Sequence, residues 1–466
     1  MRNIAILRLN TLIKTVMIQR QTHSIQRIAD LLHGKNEKKS TSTVKGWVRS
    51  VRKMKDNVFV DVDDGSCAQR LQVVVGKSAA AGIDYGCSVE ATGQVGKAPS
   101  GQLELKVDDI VVIGPGQLQH GYPFAPRKSY NSEYCRQYLH LRPRLSHYAS
   151  VLRVRNATSI AIRGFFQKNN YIEVHTPILT SNDCEGAGEV FNVIASTVAA
   201  NEQFFDASAY LTVSAQLHLE VMARSLSQVY CFGPTFRAEN SKSRFHLAEF
   251  FMLEAESALV KSVEDLTVFI EEMLKNVCSN LLNRNAQDIE LCRKRFSESD
   301  FKLEQVLQRT WTVMSYEEAA SILSTHSTSL KVPHKPNTSF TKEHELFLAN
   351  HNNGIPIFLV DWPINLKPFY MRISRNNDKT VDAFDLIFPN VGEICGGGLR
   401  EDDFDRLSVN LEKIKGLEWY LELRKYGNVL TGGFGIGFDR FLMVLLNINN
   451  IKDTVPFPRF PHHCQM

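Results

Sequence analysis

Between residues 42 and 115, apolar side chains recur at alternate positions in short runs, each ended by polar or glycine-containing sequence. A period of two puts one face of a strand into a core. The runs predict five strands, Val44 to Val51, Asn57 to Val62, Gln69 to Val75, Ser88 to Val95 and Leu103 to Val112. Turn chemistry such as Asp63-Asp64-Gly65-Ser66 separates them. Five short strands in so few residues fit a small Greek-key barrel. From about residue 147 the pattern changes. Leu266, Phe269, Ile270, Met273, Leu274, Val277, Leu281 and Leu282 follow helical spacing and predict one buried helix face. Strand-like runs at Leu211 to Ser214, Val229 to Phe232, Phe250 to Glu254 and Pro356 to Val360 form no regular βαβ series. The fold class expected is therefore α+β, a barrel followed by a domain on a largely antiparallel sheet. Residues 116–146, rich in Gly, Pro and Arg, read as a hinge, and residues 34–40 as a linker.

The length of 466 residues suits two or three domains. No apolar stretch has the 18 or more residues of a membrane span. The formal charge of +4 hides an asymmetry: Arg2, Arg8, Lys14, Arg20 and Arg27 stand before any acid, and removing those five from 54 basic residues leaves 49 against 50 acidic ones. Such a basic, acid-free leader with interspersed Ile and Leu has the composition of a mitochondrial transit peptide, read here as residues 1–28. A nucleic-acid partner would then be met by local basic patches, since the remainder has no positive field. Nine cysteines show no CxxC pair and no Cys/His spacing, so neither zinc nor a disulfide framework is indicated.

Three segments carry chemistry. Gly233 to Glu256 reads as two apolar strands flanking a polar loop with Arg237, Glu239, Arg244 and His246. Guanidinium groups offered from a hairpin suit a nucleotide, because they pair with phosphate oxygens in bidentate fashion. Residues 431–446, TGGFGIGFDRFLMVLL, place four glycines before a helix opening near Phe438, with Arg440 in its first turn. Glycine lets a backbone approach a ligand, and a helix start favours anions. Asp385 and Glu393 stand eight apart, followed by Cys395-Gly-Gly-Gly-Leu-Arg400. Carboxylates beside a phosphate site are how proteins hold Mg²⁺ together with ATP.

Taken in order, these segments resemble the signature motifs of class II (subgroup b) aminoacyl-tRNA synthetases, which carry an N-terminal OB domain. Pro177, within Tyr171 to Ile178, is similar to the proline of motif 1. Phe236-Arg-Ala-Glu239 with His246-Leu-Ala-Glu-Phe250 is similar to motif 2, and Gly433 to Arg440 to motif 3. The match runs from about residue 42 to the end. It implies an anticodon-binding barrel over 42–115 and a catalytic domain over 147–466. ATP and Mg²⁺ would be bound, and the chain would form a homodimer. Arg237 would hold the α-phosphate and substrate carboxylate, Phe250 would stack on adenine, and Glu239 would lie on the adenine side. His246 and Arg440 would reach the far phosphates, Gly435 and Gly437 would line the ATP site, and Asp385 and Glu393 would hold Mg²⁺.

Within that family the wording Asp183-Cys-Glu-Gly-Ala-Gly-Glu189 and Val391-Gly-Glu-Ile394 resembles the asparagine branch. The resemblance places Glu185, Ser214 and Gln216 near the substrate ammonium, Glu254 near its pocket and Arg400 at its side-chain oxygen. Enzymes of the aspartate branch carry a Lys three residues after the glutamine matching Gln216, where Leu219 stands here. Without it a buried second carboxylate would lack a countercharge, and an amide fits better. The implied partners are asparagine and tRNA(Asn), in the mitochondrial matrix, with no membrane. An aspartate enzyme and a non-catalytic tRNA-binding module are the alternatives. Three positions depart from the branch: Ala215 for Gly, Phe245 for a basic residue, with Arg244 beside it placed to compensate, and Leu430-Thr431 for Pro-His. In the barrel, Phe59 is similar to the aromatic that stacks on an anticodon base, with Gln72 its polar partner. Arg49 and Arg52 would meet phosphates.

Overall fold

The computed structural model describes residues 25–34, 41–182, 189–196, 204–297, 301–411 and 416–466. The chain divides into two compact units between Arg142 and Pro143. In the first, strands β1 (Thr41–Lys53), β2 (Asn57–Asp63), β3 (Leu71–Gly76), β4 (Ser88–Lys97) and β5 (Leu103–Gly114) close a barrel in the order β1-β2-β3-β5-β4. The alternating valines face inward, and Val44, Val48, Val60, Val62, Val73 and Val89 are fully buried. The turn before β3 is set by Asp63, whose carboxylate accepts from the Gly65 N–H at 2.8 Å, with Gly65 at a φ of 81°.

Two boundaries move. Ile25 pairs with Thr43, and a short helix at Ile28–Leu32 puts Ile28 and Leu31 into the barrel core. Asp64 and Ser66 cap that helix through the N–H groups of Ile28 and Ala29. A leader ending at residue 28 would thus cut into packed structure, because Ile28 is wholly buried. The expected hinge is likewise built. Phe124, fully buried, is ringed by Tyr122, Tyr130, Tyr134 and Tyr138 in mostly edge-on contacts, and Asn131 caps a helix at Ser132–Arg136. Edge-on ring contacts of this kind add stability beyond buried area. Gly, Pro and Arg suggested a hinge; the aromatics between them pack together, and the division between the two units falls after Arg142, within that stretch.

The second unit is organised by an eight-stranded sheet. Its strands are β6 (Ile172–Glu173), β10 (Gln228–Phe236), β11 (Glu249–Ala258), β12 (Thr312–Ser315), β13 (Ile357–Pro363), β14 (Thr380–Phe388), β15 (Gly392–Leu399) and β16 (Thr431–Gly437). Their order is β12-β13-β14-β15-β16-β11-β10-β6, antiparallel except for the two outermost pairs. Strands β7 (Leu179–Thr180), β8 (Asn192–Val193) and β9 (Ala209–Leu211) form a separate small sheet. The helix foreseen from spacing spans Val263–Arg284, opened by a Ser262–Asp265 capping box. Leu266, Ile270, Met273, Leu274, Val277 and Leu281 are its buried stripe. It packs against a helix at Ser146–Lys168.

The centre of the sheet is glycine-rich on both strands β15 and β16, and the two faces use this differently. On one face, Phe384, Gly397 and Phe434 are register partners, and the Phe384 ring and the Phe434 Cβ occupy the space a side chain at the glycine would need. On the other, Gly433 leaves room for Glu256: a Cβ there would lie 1.8 Å from its Oε2 and 2.3 Å from the Ala255 carbonyl. Gly437 meets nothing nearer than 3.7 Å. Gly433→Ala is expected to lower stability by about 1–3 kcal/mol or more through overpacking, whereas Gly437→Ala leaves the melting temperature nearly unchanged. Thermal unfolding of both variants checks this, and equal melting temperatures would refute the packing argument.

Candidate active site

Asp385, Gly396, Gly435 and Glu254 lie in one row across β14, β15, β16 and β11. Register partners in an antiparallel sheet project from the same face. The middle of the row therefore has no side chains, and a carboxylate stands at each edge. Over this bare floor opens a cavity of about 290 Å³. Ser214, Gln216, Arg237, Glu239, His246, Phe250, Glu254, Asp385, Glu393, Arg400, Gly435, Gly437 and Arg440 all line it. Glu185 lies outside the described residues. Pro177 lines a separate small pocket with Thr176, Cys231 and Glu254.

At one end the cavity is cationic. The Arg237 guanidinium lies 5.7 Å from the centroid of Phe250, and Glu239 sits between Arg237, at 4.0 Å, and His246, at 3.7 Å. Burial pushes the His246 imidazole down to about 4, helped by Arg440, Lys342 and Arg237, so the ring is neutral at pH 7. Arg440 donates to the carbonyls of Glu393, at 3.1 Å, and Phe245, at 3.4 Å. Its helix, Phe438–Leu446, is pinned by buried Asp439, which pairs with Arg155 and accepts from the Phe251 N–H. The hairpin β14–β15 turns through Asn390 and Gly392, both left-handed, and brings Glu393 back to the face carrying Asp385.

Lys367, not anticipated from the sequence, grips both oxygens of Asp385 at 2.6 Å. Burial raises the Asp385 carboxyl to about 6, with Lys367 opposing and Glu393 adding to the rise. Burial acts upward on Glu393 too, but Arg440, Lys367, Lys342 and Arg237 hold it below the usual carboxylate range. Two carboxylates, one of them buried and already seating a compact cation, are hard oxygen donors that fit Mg²⁺. That ion is typically bound by one or two carboxylates together with substrate phosphates.

The other end is an ion-pair network. Arg400 is 1% exposed and its fork meets both oxygens of Glu256, itself 0% exposed, at 2.9 to 3.3 Å. Gln216 donates to the same carboxylate at 2.9 Å. Glu254 accepts from the Ser214 hydroxyl and from the Ala215 N–H. Ala215, at φ −87°, occupies a conformation open to any residue, so replacement of a glycine there costs nothing. Leu219 is buried in an apolar cluster with Ala215, Ala223 and Val229, so no cation enters from that side. Thr431 has a buried hydroxyl without a hydrogen-bond partner, and its carbonyl accepts from the Arg400 N–H.

On the barrel, Arg52 and Phe59 are cross-strand partners, the guanidinium 5.9 Å from the ring, and Arg52 donates to Gln72 at 2.7 Å. Gln72 also donates to Glu104. Arg49 is a correction to the expected phosphate contacts: its side chain is 7% exposed and bound to Asp63 at 3.0 Å, so its charge is already paired within the protein.

Residues 131–461 match the family described as tRNA synthetases class II (D, K and N), and residues 42–113 match an OB-fold nucleic acid binding domain. The chain belongs to the class II aminoacyl-tRNA synthetases. This synthetase is 43% identical to asparaginyl-tRNA synthetase of Mus musculus over 448 residues, 94% of each chain. It is 37% identical to a Dictyostelium discoideum protein named "Probable asparagine--tRNA ligase, mitochondrial", over 91% of this chain and 93% of that one. Among solved structures it is similar to asparaginyl-tRNA synthetase from Pyrococcus horikoshii complexed with asparaginyl-adenylate. There the TM-score is 0.81 and the identity 29%, with 91% of this chain and 96% of the other covered.

Of the residues the sequence reading of this synthetase missed, Glu256 had a signal: it stands two positions from Glu254 on a strand and so shares its face. Lys367 had none. Removing the fork in Arg400→Ala leaves Glu256 buried without its cation, which is expected to cost about 3–5 kcal/mol. Urea unfolding measures it, and a loss below about 1 kcal/mol would contradict the pairing.

Proposed function

We propose that this chain activates asparagine with ATP and transfers it to tRNA(Asn) in mitochondria, acting as a homodimer. The observation that carries the substrate is the charge balance of the amino-acid end. The Arg400 guanidinium there is already matched by Glu256, and Leu219, in an apolar cluster, brings no further cation. A carboxylate side chain would meet a guanidinium already paired and would lack a countercharge of its own. An amide is neutral and offers an NH₂ donor to a carboxylate, and sites built on such hydrogen bonds discriminate by ~10⁴ or more. The relatives named for asparagine support the same reading.

The chemistry needs no protein nucleophile. The amino-acid carboxylate, already ionised, attacks the α-phosphorus of ATP; the α–β bridging bond breaks and pyrophosphate leaves. Arg237 would neutralise charge growing on the α-phosphate, and Phe250, 5.7 Å from its guanidinium, would be the stacking face for adenine. Arg440 would take the distal phosphates, and neutral His246 would supply hydrogen bonds there. Asp385 and Glu393 would hold Mg²⁺, which when bound neutralises phosphate oxygens. A ribose hydroxyl at the tRNA 3′ end then attacks the adenylate carbonyl and releases AMP. Positioning and charge neutralisation perform most of such work. Arg52, Phe59 and Gln72 form a compact stacking and hydrogen-bonding group suited to an anticodon base.

The homodimer is supported by Pro177 and by exposed Ile160, Ile172, Ile178 and Leu179 around edge strand β6, apolar surface that a second copy would cover. The mitochondrial setting is supported by the basic leader and by the mitochondrial name of one relative. A cleavage point upstream of Ile25 fits the packing of Ile28.

Asparagine-dependent ATP–pyrophosphate exchange is expected, with aspartate at least ~10²-fold weaker; exchange with aspartate alone would overturn the substrate. Phe59→Ala is expected to raise KM for tRNA and leave exchange unchanged. A purified chain that sediments as a monomer would remove the dimer, and a tagged chain excluded from mitochondria would remove the location.

A further inference from the structure

The wall at the cationic end is made by three segments that no sequence motif connects. Arg440 holds two of them by their carbonyls, Glu393 and Phe245. From the opposite side comes a helix at Lys342–His351. Glu345 Oε2 on that helix accepts from the Glu393 main-chain N–H at 2.8 Å and from Lys342 Nζ at 2.5 Å. Lys342 Nζ in turn lies 5.6 Å from the Phe245 ring centroid. Glu393 is thus held through its N–H by one element and through its carbonyl by another.

Gly392 makes the approach possible. Its φ is 81°, and a Cβ there would lie 2.3 Å from Glu345 Oε2 and 2.7 Å from Lys342 Nζ. Glu345 is 9% exposed, and its carboxylate lies against the Glu393 backbone. A buried carboxylate set beside another is costly and packing does not call for it. Its two hydrogen bonds state what it does: one neutralises it and the other fixes a backbone.

We propose that Glu345, seated by Lys342, is a positioning residue for Glu393, setting where that carboxylate meets the Mg²⁺ and the distal phosphates of the nucleotide. The assignment rests on the proposed synthetase reading. Neither Glu345 nor Lys342 lines the cavity, so both act through others. Groups that orient ligating carboxylates in this way typically cost ~10–100-fold in metal affinity or activity when removed.

The test is Mg²⁺-dependent ATP binding by calorimetry, without amino acid, alongside steady-state exchange. Glu345→Ala is expected to weaken Mg²⁺·ATP binding and raise the Mg²⁺ requirement by ~10-fold or more, with KM for asparagine within about twofold. Glu345→Gln keeps an oxygen for the Glu393 N–H and is expected to recover most of the loss. Lys342→Met should shift ATP binding in the same direction by less. Should Glu345→Ala fail to fold, as its melting curve would show, Glu345→Gln and Lys342→Met carry the test. Folded variants with wild-type Mg²⁺·ATP affinity would overturn the proposal, as would equal losses for ATP and asparagine. A wild-type chain that binds Mg²⁺·ATP but gives no asparagine exchange would instead sink the synthetase reading, so the two failures are separable.

Discussion

Everything in the catalytic unit depends on a row of sheet in which two central side chains are missing. Gly396 and Gly435 face each other across β15 and β16, flanked by Asp385 and Glu254. A sheet normally covers its face with side chains from every strand, and this one cannot. The gap is held open because the opposite face compensates. There the Phe384 ring and the Phe434 Cβ fill the space that Gly397 leaves, so the strands stay packed beneath the floor. Glycine inside a strand weakens it through entropy and lost packing. That cost is confined to strands already sandwiched by paired neighbours.

Charge then divides the floor into two regions. At the cationic end, Arg237, Arg440 and Lys367 surround Asp385 and Glu393, and the cations hold the Glu393 carboxyl below its usual range. At the other end, one guanidinium is matched by Glu256, and Glu254 is held by Ser214 and the Ala215 N–H. Buried pairs of this kind do little for stability compared with apolar packing, but they fix geometry. A site whose polar groups are already bonded to one another pays little reorganisation when a substrate of matching shape replaces a bond.

Much of this was legible in the chain itself. Five strands of period two with their turns give the barrel nearly to the residue, since register is pinned wherever one face is buried. Motif order brought Arg237, His246, Phe250, Asp385, Glu393 and Arg440 to one place without coordinates. What the sequence does not show has a common cause. Residues 116–146 carry the Gly and Pro of a hinge, yet Tyr122, Tyr130, Tyr134 and Tyr138 gather around Phe124 only once the chain folds back. Arg49 and Arg52 look equivalent in sequence, but one pairs with Asp63 and the other lies against Phe59.

Sequence by itself determined the family, the element types and the identity of most charged groups in the site. These depend on residue type and local period, which are written along the chain. The tertiary structure decided pairing: Glu256 with Arg400, Lys367 with Asp385, and Glu345 with the Glu393 backbone. Each joins residues from 18 to 144 positions apart. A hydrogen bond or ion pair is set by distance and direction in space, and at such separations only the packing of the sheet and its helices fixes either.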